Sequence, residues 1–267
     1  MIFQGQLLKM SSVWAAPIQY YLNLSGDLLS INQLFGKKLS IKHTGFQCIC
    51  CMEDKPIFRM GFCKECFFES PYASETILKP ELSKAHLGIE ERDLEIEKQI
   101  QLQPHIVYLA YTGDVKVGVT RENQIPTRWI DQGATFALPI ARTKNRYEAG
   151  IIEAELKKHI PDKTNWRKML QDEREDNLDL LDFRNKIEHL FPKESKMFAI
   201  HEEDIWRLDF PYTAPEKISA FTLDKVPNFK GILKGVKGQY LHFEGDLFMN
   251  IRNHEGYVIE LKIEKSI

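Results

Sequence analysis

The spacing of apolar residues changes several times along the chain, and each change marks an element. From Ile2 to Met10 apolar and polar residues alternate loosely, Ile18 to Leu24 is rich in β-formers, and Leu39 to His43 follows, so the opening stretch predicts strands. Between Gly88 and Gln101, Leu94, Ile96 and Ile100 stand among charged residues. That is a thin apolar stripe on a solvated linker helix. Two strand patterns come next: Ile106 to Tyr111 runs into Gly113-Asp114, and Val115 to Val119 follows at once, which predicts a hairpin. Pro126 to Ile130 predicts a short helix closed by Gly133, and Ala137 to Arg142 a further strand. Tyr147 to His159 has Ile151, Ile152 and Leu156 at helical spacing and ends at Pro161. The acidic stretch Asp172 to Leu190 predicts a helix with Leu178, Leu181, Phe183, Ile187 and Leu190 inward and its charges in solvent. From Phe221 strands return, with turns at Val236–Gln239, Glu244–Asp246 and Asn253–Gly256.

Phe3-Gln4-Gly5-Gln6-Leu7-Leu8-Lys9 is echoed by Phe229-Lys230-Gly231-Ile232-Leu233-Lys234, so the terminal β regions are expected to pair in one small barrel or sheet. The pattern makes the fold class α+β. It divides the chain into an N-terminal β region (1–45), a cysteine-bearing segment (46–70), a linker with a helix (71–104), a central α/β module (105–170), an acidic helical arm (171–204) and a C-terminal β region (205–267).

Composition narrows the partners. The net charge of -2 and pI near 6.5 exclude a whole-surface electrostatic grip on DNA. The charge is unevenly spread. Residues 101–170 carry eleven Lys/Arg against seven Asp/Glu, a surplus of four positive charges; residues 171–204 carry five against eleven, a surplus of six negative ones. The first ten residues lack a charged n-region followed by a long apolar stretch, so no signal peptide is expected, and no window approaches the ~20 apolar residues of a membrane span. A cytoplasmic protein is expected.

All five cysteines fall between residues 48 and 66, and four form two pairs, Cys48-x-x-Cys51 and Cys63-x-x-Cys66. The stretch between them is long enough for one short hairpin. Two such turns fill a tetrahedral zinc shell with thiolates and leave no open position, which makes the metal structural. A disulfide pair would need an oxidising compartment. Cys50 is the spare, able to replace Cys51 in a C-x-C arrangement, although the symmetric pairing favours Cys48 and Cys51.

The stretch from His105 to Leu170 carries the chemistry. Strand, hairpin, strand, an Arg-bearing short helix, another strand and a carboxylate-bearing helix follow one another, and a distal Asn165 closes the set. This quarter of the chain resembles the GIY-YIG nuclease superfamily, whose module has a three-stranded antiparallel sheet. Ile106-Val107-Tyr108 stands at the first tripeptide, and Lys116-Val117-Gly118 at the second, where the superfamily usually has Tyr-Ile-Gly. Arg128 stands at the helical Arg, Ile152 to Lys158 at the helix bearing the metal-binding Glu, and Asn165 at the distal Asn. The resemblance implies that Glu153, rather than Glu148 or Glu155, holds Mg²⁺ or Mn²⁺, and that Arg128 contacts phosphate. Tyr108 would orient or deprotonate the attacking water, and Asn165 would pin the phosphate or the helix end. Lys116 is the departure: an ordinary Lys, with pKa about 10.4, is charged at neutral pH and cannot accept a proton. Unless burial lowers that value, it is expected to be an electrostatic phosphate contact, with Tyr108 or a metal-bound water doing the acid-base work. Taken singly, Arg128 beside Trp129 would only cover apolar surface with its stem, and Glu153 with Lys157 is an i,i+4 pair.

Nearly the whole chain is also similar to an uncharacterised bacterial family known only as domain of unknown function 2797. The landmarks are Gly45-Phe46-Gln47-Cys48, Val117-Gly118-Val119-Thr120-Arg121, Thr127 to Ala134 and Leu233 to Tyr240. That similarity implies an architecture without a function. Three functions follow: a metal-dependent endonuclease on DNA or RNA; a non-catalytic nucleic-acid-binding module; and a protein-interaction module built on the ribbon and the acidic arm. In the second, Lys116, Arg121, Arg128, Arg142, Lys144 and Arg146 would hold phosphates, with Trp129 or Tyr147 stacking on bases.

Overall fold

The computed structural model describes residues 1–172 and 179–264. The chain forms two compact units, one from residues 1–68 and 209–267 and the other from 69–208. Among the described residues no helix is long and apolar enough to cross a membrane.

The first unit holds β1 (Ile2–Val13), β2 (Gln19–Leu24), β3 (Asp27–Ser30), β4 (Lys38–Phe46) and α1 (Lys64–Glu69). After the second unit the chain returns to it as β9 (Ser219–Ala220), β10 (Asn228–Lys237), β11 (Tyr240–Phe243), β12 (Leu247–Asn250) and β13 (Tyr257–Ile263). One nine-stranded sheet runs in the order β3-β2-β1-β13-β4-β10-β11-β12-β9. The chain ends meet as β1 with β13, Gln4 opposite Glu260, while the echoing strands β1 and β10 are separated by β13 and β4. Alternation explains the burial: Leu39, Ile41, Phe229, Leu233, Ile259 and Leu261 face the core of this unit while their neighbours face outward. The β10–β11 hairpin turns at Gly238, whose φ of 59° is the left-handed conformation glycine adopts most readily.

The second unit contains α2 (Leu94–Gln101), β5 (His105–Tyr111), β6 (Val115–Arg121), α3 (Thr127–Asp131), β7 (Phe136–Thr143), α4 (Arg146–Leu156), α5 (Trp166–Gln171), α6 (Leu180–Ile187) and β8 (Trp206–Arg207). Its sheet has four strands, in the order β6-β5-β7-β8, where the sequence led us to expect three. The extra strand forms because the chain beyond the acidic arm lies along the open edge of β7: Ile200 N donates to the Ile140 carbonyl at 2.9 Å and Leu208 N to the Thr135 carbonyl at 3.0 Å. β5 is central and buried at all seven positions. Val107 and Leu109 join Val117, Leu138, Ile140, Ile152 and Leu156 in one core, to which the acidic arm adds Leu180, Ile187 and Phe191.

Three helical expectations are shortened. Gly88 is left-handed and ends a 3₁₀ turn, so α2 starts only at Leu94, with the Asp93 carboxylate accepting from Ile96 N at 3.0 Å. The predicted helix 147–159 begins at its Asn145 cap and ends at Leu156, ahead of Pro161. The acidic arm does not start as helix at Asp172, which is left-handed at φ 50° and ends α5. Asp179 caps α6, and Leu178 lies outside the described residues.

The linker 71–104 departs most from expectation. Residues 71–87 are four single 3₁₀ turns, at Pro71–Ala73, Glu75–Ile77, Pro80–Leu82 and Ala85–Leu87. They form a strap clamped onto α4. Arg146 Nε donates to the Thr76 carbonyl at 3.0 Å and its Nη2 to the Ile77 carbonyl at 2.9 Å, while Lys157 pairs with Glu81 at 2.7 Å. Between them Gly150 lets the strap backbone touch the helix: a Cβ there would lie inside contact distance of the Glu81 nitrogen and the Pro80 carbonyl carbon. Gly150→Ala is therefore expected to cost about 1–3 kcal/mol by overpacking, read as a lowered denaturation midpoint. An unchanged midpoint would mean the strap moves freely.

Candidate active site and metal centre

The two cysteine turns sit between β4 and α1. The Sγ atoms of Cys48, Cys51, Cys63 and Cys66 all lie within 4.8 Å of one another, and no cysteine is in a disulfide. Cys50 is exposed and outside the cluster, so Cys51 is the second ligand of the first turn. The Cys50 and Cys63 amides donate to Cys48 Sγ at 3.4 and 3.3 Å. Burial alone would raise the Cys48 thiol, but these N–H groups outweigh it and bring its pKa down to about 6, favouring the thiolate a metal needs. Gly61, left-handed at φ 80°, brings the second turn against Ile49, and Phe62 N donates to the Arg59 carbonyl at 2.9 Å to close the small hairpin. The four thiolates can hold one metal ion in a closed shell, with no position open for chemistry.

The second unit carries a cleft of about 410 Å³, and four of the residues singled out from sequence line it: Tyr108, Lys116, Arg128 and Glu153. Strand register explains the first two. Tyr108 pairs with Gly118 across the hairpin and Ala110 with Lys116, so Tyr108 and Lys116 fall on the same face of the sheet. Gly118 is needed there, because a Cβ on it would sit 2.6 Å from the Tyr108 hydroxyl. α3 presents Arg128 while burying Trp129, whose ring meets Tyr108 edge-on at 5.7 Å. α4 presents Glu153, and Ile77 to Pro80 of the strap form a wall.

The polar groups are arranged for an anion. Lys79, Arg146, Lys157 and Lys163 join Lys116 and Arg128, so six cations line the cleft against Glu153 and Asp162. The Tyr108 hydroxyl donates to Gln132 Oε1 at 2.9 Å, and full burial raises its pKa although the Arg128 guanidinium acts to lower it. Lys116 is 4% exposed; its Nζ donates only to the Asp162 carbonyl, at 3.4 Å, and no carboxylate among the described residues lies within 4 Å of it. Burial first, and the Arg128 charge second, lower its pKa to about 8. Glu153 is half-buried and makes no hydrogen bond or ion pair within 4 Å among the described residues, and burial raises its pKa. The i,i+4 pair with Lys157 does not form, because Lys157 reaches Glu81 instead. Glu148 accepts from Lys144 N at 2.9 Å and Glu155 pairs with Lys158 at 2.6 Å, so of the three carboxylates only Glu153 lines the cleft.

Other expected contacts lie elsewhere. Asn165 is outside the cleft lining and caps α5, accepting from Arg167 N at 3.1 Å and Lys168 N at 3.4 Å, so it pins a helix end. Arg142 is tied to Glu122 through both carboxylate oxygens, at 2.7 and 3.0 Å. Trp129 is fully buried and Tyr147 stacks on His86 at 4.4 Å, so neither ring is free for a base. Arg121 and Lys144 lie outside the cleft. Sequence reasoning missed Gln132, Lys157, Asp162 and the strap. Their spacing carries no signal, because the fold alone brings them to the site.

The buried Lys116 makes a pH-dependent stability term. Its folded pKa, about 8, lies below its unfolded value, so the unfolded chain binds the proton more tightly and charging the buried amine opposes folding. That penalty is complete below about pH 8 and vanishes above the unfolded pKa of about 10.4. Lys116→Met should therefore raise the melting temperature at pH 7, and the gain should shrink between pH 8 and 10.5; a pH-independent difference would contradict the buried cation.

No curated protein and no solved structure matches the chain. Residues 36–259, most of its length, match the family described as protein of unknown function (DUF2797), and the chain belongs to that family.

Proposed function

We propose that the cleft is the active site of a divalent-metal-dependent phosphodiesterase acting on DNA or RNA, of the GIY-YIG type that residues 105–170 resemble. The observation that carries this reading is the meeting of an unpaired carboxylate, Glu153, with Tyr108, Lys116 and Arg128 in one cationic cleft. Glu153 is the one free carboxylate of α4 at the cleft, and a single carboxylate with substrate phosphate and waters suits Mg²⁺ or Mn²⁺. Such an ion neutralises charge on the phosphoryl oxygens. Arg128 donates a planar fork to the same phosphate. Tyr108 orients the attacking water by accepting its hydrogen, and its raised pKa argues against a phenolate base. Lys116 suits that role better: at a pKa of about 8 a usable fraction is neutral near physiological pH.

We assign the four-cysteine ion as Zn²⁺, the metal that four tetrahedral thiolates prefer, and a cytoplasmic setting as the one that keeps such thiols reduced. Cys63→Ser should lose the zinc found by elemental analysis of wild-type protein and lower its melting temperature. Zinc-free wild-type protein with an unchanged melt would refute the assignment.

Glu153→Gln should leave the fold intact and abolish Mg²⁺- or Mn²⁺-dependent cleavage of plasmid, single-stranded DNA or structured RNA. If the wild type leaves all three uncut, the enzyme reading fails. The six cations favour a second reading, binding without cleavage, whose signature is an affinity that falls steeply with salt. An absence of binding at low ionic strength would remove both and leave a protein-interaction role, for which the exposed Phe58 and Phe68 of the ribbon, 5.7 Å apart, are the natural contact.

A further inference from the structure

Lys116 has features that contact with a phosphate does not require. A lysine that only holds phosphate works best exposed to solvent, as Lys163 of the same cleft is. Lys116 is nearly sealed, keeps one long hydrogen bond to a carbonyl, lacks a carboxylate within 4 Å among the described residues, and feels Arg128 more strongly than any other charge. Desolvation and an adjacent cation are the two conditions that turn a lysine into a nucleophile toward carbonyl compounds. Tyr108, Arg128, Glu153 and Asp162 line the same cleft, as do Arg146 at the start of α4 and Lys157 just past its end.

We propose that Lys116 is an amine nucleophile toward β-phosphorylated aldehydes, releasing their phosphate by elimination. The Nζ adds to the aldehyde carbon, and the carbonyl oxygen departs as water to leave a protonated imine. Glu153 takes a proton from the adjacent carbon. The C–H electron pair becomes the new C=C bond while the next C–O bond breaks, and its electrons leave with the phosphate. Arg128 and Arg146 lie along the lining that receives this anion. Water then hydrolyses the conjugated imine, freeing the unsaturated aldehyde and restoring the amine. The burial-raised pKa of Glu153 makes it a stronger base than a free carboxylate, which the carbon acid needs. Such an aldehyde occurs in an abasic nucleotide within a DNA strand and in a free triose phosphate such as glyceraldehyde 3-phosphate. The step shares the cleft assigned above but not its divalent metal, so either reading can fail alone.

The test traps the imine. Full-length protein, with its zinc and no added Mg²⁺ or Mn²⁺, is incubated with sodium cyanoborohydride and one of three probes: an abasic oligonucleotide, its undamaged counterpart or glyceraldehyde 3-phosphate. Intact mass and peptide mapping should show a single adduct on Lys116 with one or both aldehydes, and none with the undamaged strand. The aldehyde that labels at lower concentration identifies the source. Lys116→Arg and Lys116→Met, with their folds checked by thermal melts, should not be labelled. Glu153→Gln should still be trapped but release phosphate about a hundred-fold more slowly. No adduct, labelling that persists in both Lys116 variants, or labelling spread over Lys157 and Lys163 would overturn the proposal. Mg²⁺-dependent cleavage of the undamaged strand, measured separately, reports on the phosphodiesterase reading alone.

Discussion

The register of the β5–β6 hairpin is the constraint on which the cleft depends. A side-chain period of two means that a slip of β6 by one residue would send Lys116 to the opposite face, against Val107 and Leu109, and turn Val117 out of the core. The turn prevents this. Thr112 N donates to the Asp114 carbonyl at 3.0 Å, and Gly113 takes a φ of 87°, where a Cβ would strike the backbone of Lys168. With the register fixed, Gly118 accepts the Tyr108 hydroxyl against its bare Cα, and Ala110 leaves room opposite Lys116. Two small residues on the paired strands thus make the space that two polar side chains occupy.

The strap closes what the hairpin opens. Without residues 77–80 the amine of Lys116 and the carboxylate of Glu153 would face a wider, wetter groove, and burial would perturb neither as much. Arg146 bridges these roles: it lines the cleft, yet two of its N–H groups hold strap carbonyls, and burial lowers its pKa to about 10. A residue that positions the wall and contributes charge to the floor couples the strap's stability to the electrostatics of the site.

These parts were unequally legible in the sequence. The hairpin, α3, β7 and α4 could be read because their apolar spacing is periodic, and the cysteine quartet because a metal shell demands particular residues at particular spacing. The strap was invisible: single 3₁₀ turns have no period, and Ser70, Pro71 and Pro80 read equally well as loop punctuation. β8 was invisible for a related reason, since two residues added to a sheet edge depend on tertiary placement and not on propensity. Arg142 and Trp129 show the limit for side chains. Nothing near either in sequence announces that Glu122, twenty residues away, captures one, or that Tyr108 and Trp206 enclose the other.

The electrostatics of Lys116 and Glu153 then follow from one cause. Burial disfavours both charges, lowering the base's pKa and raising the acid's, so the two groups approach each other in proton affinity without sharing a contact within 4 Å. A cleft built this way responds to what enters it. A bound phosphate would restore the charged amine, since an anion beside Lys116 favours its protonated form, whereas a divalent cation at Glu153 would favour carboxylate and discourage ammonium. Anion and metal thus act on Lys116 in opposite directions. The charge of Lys116 near neutral pH therefore depends less on the intrinsic basicity of a lysine than on how completely Tyr108, Gly118 and the strap exclude water from it.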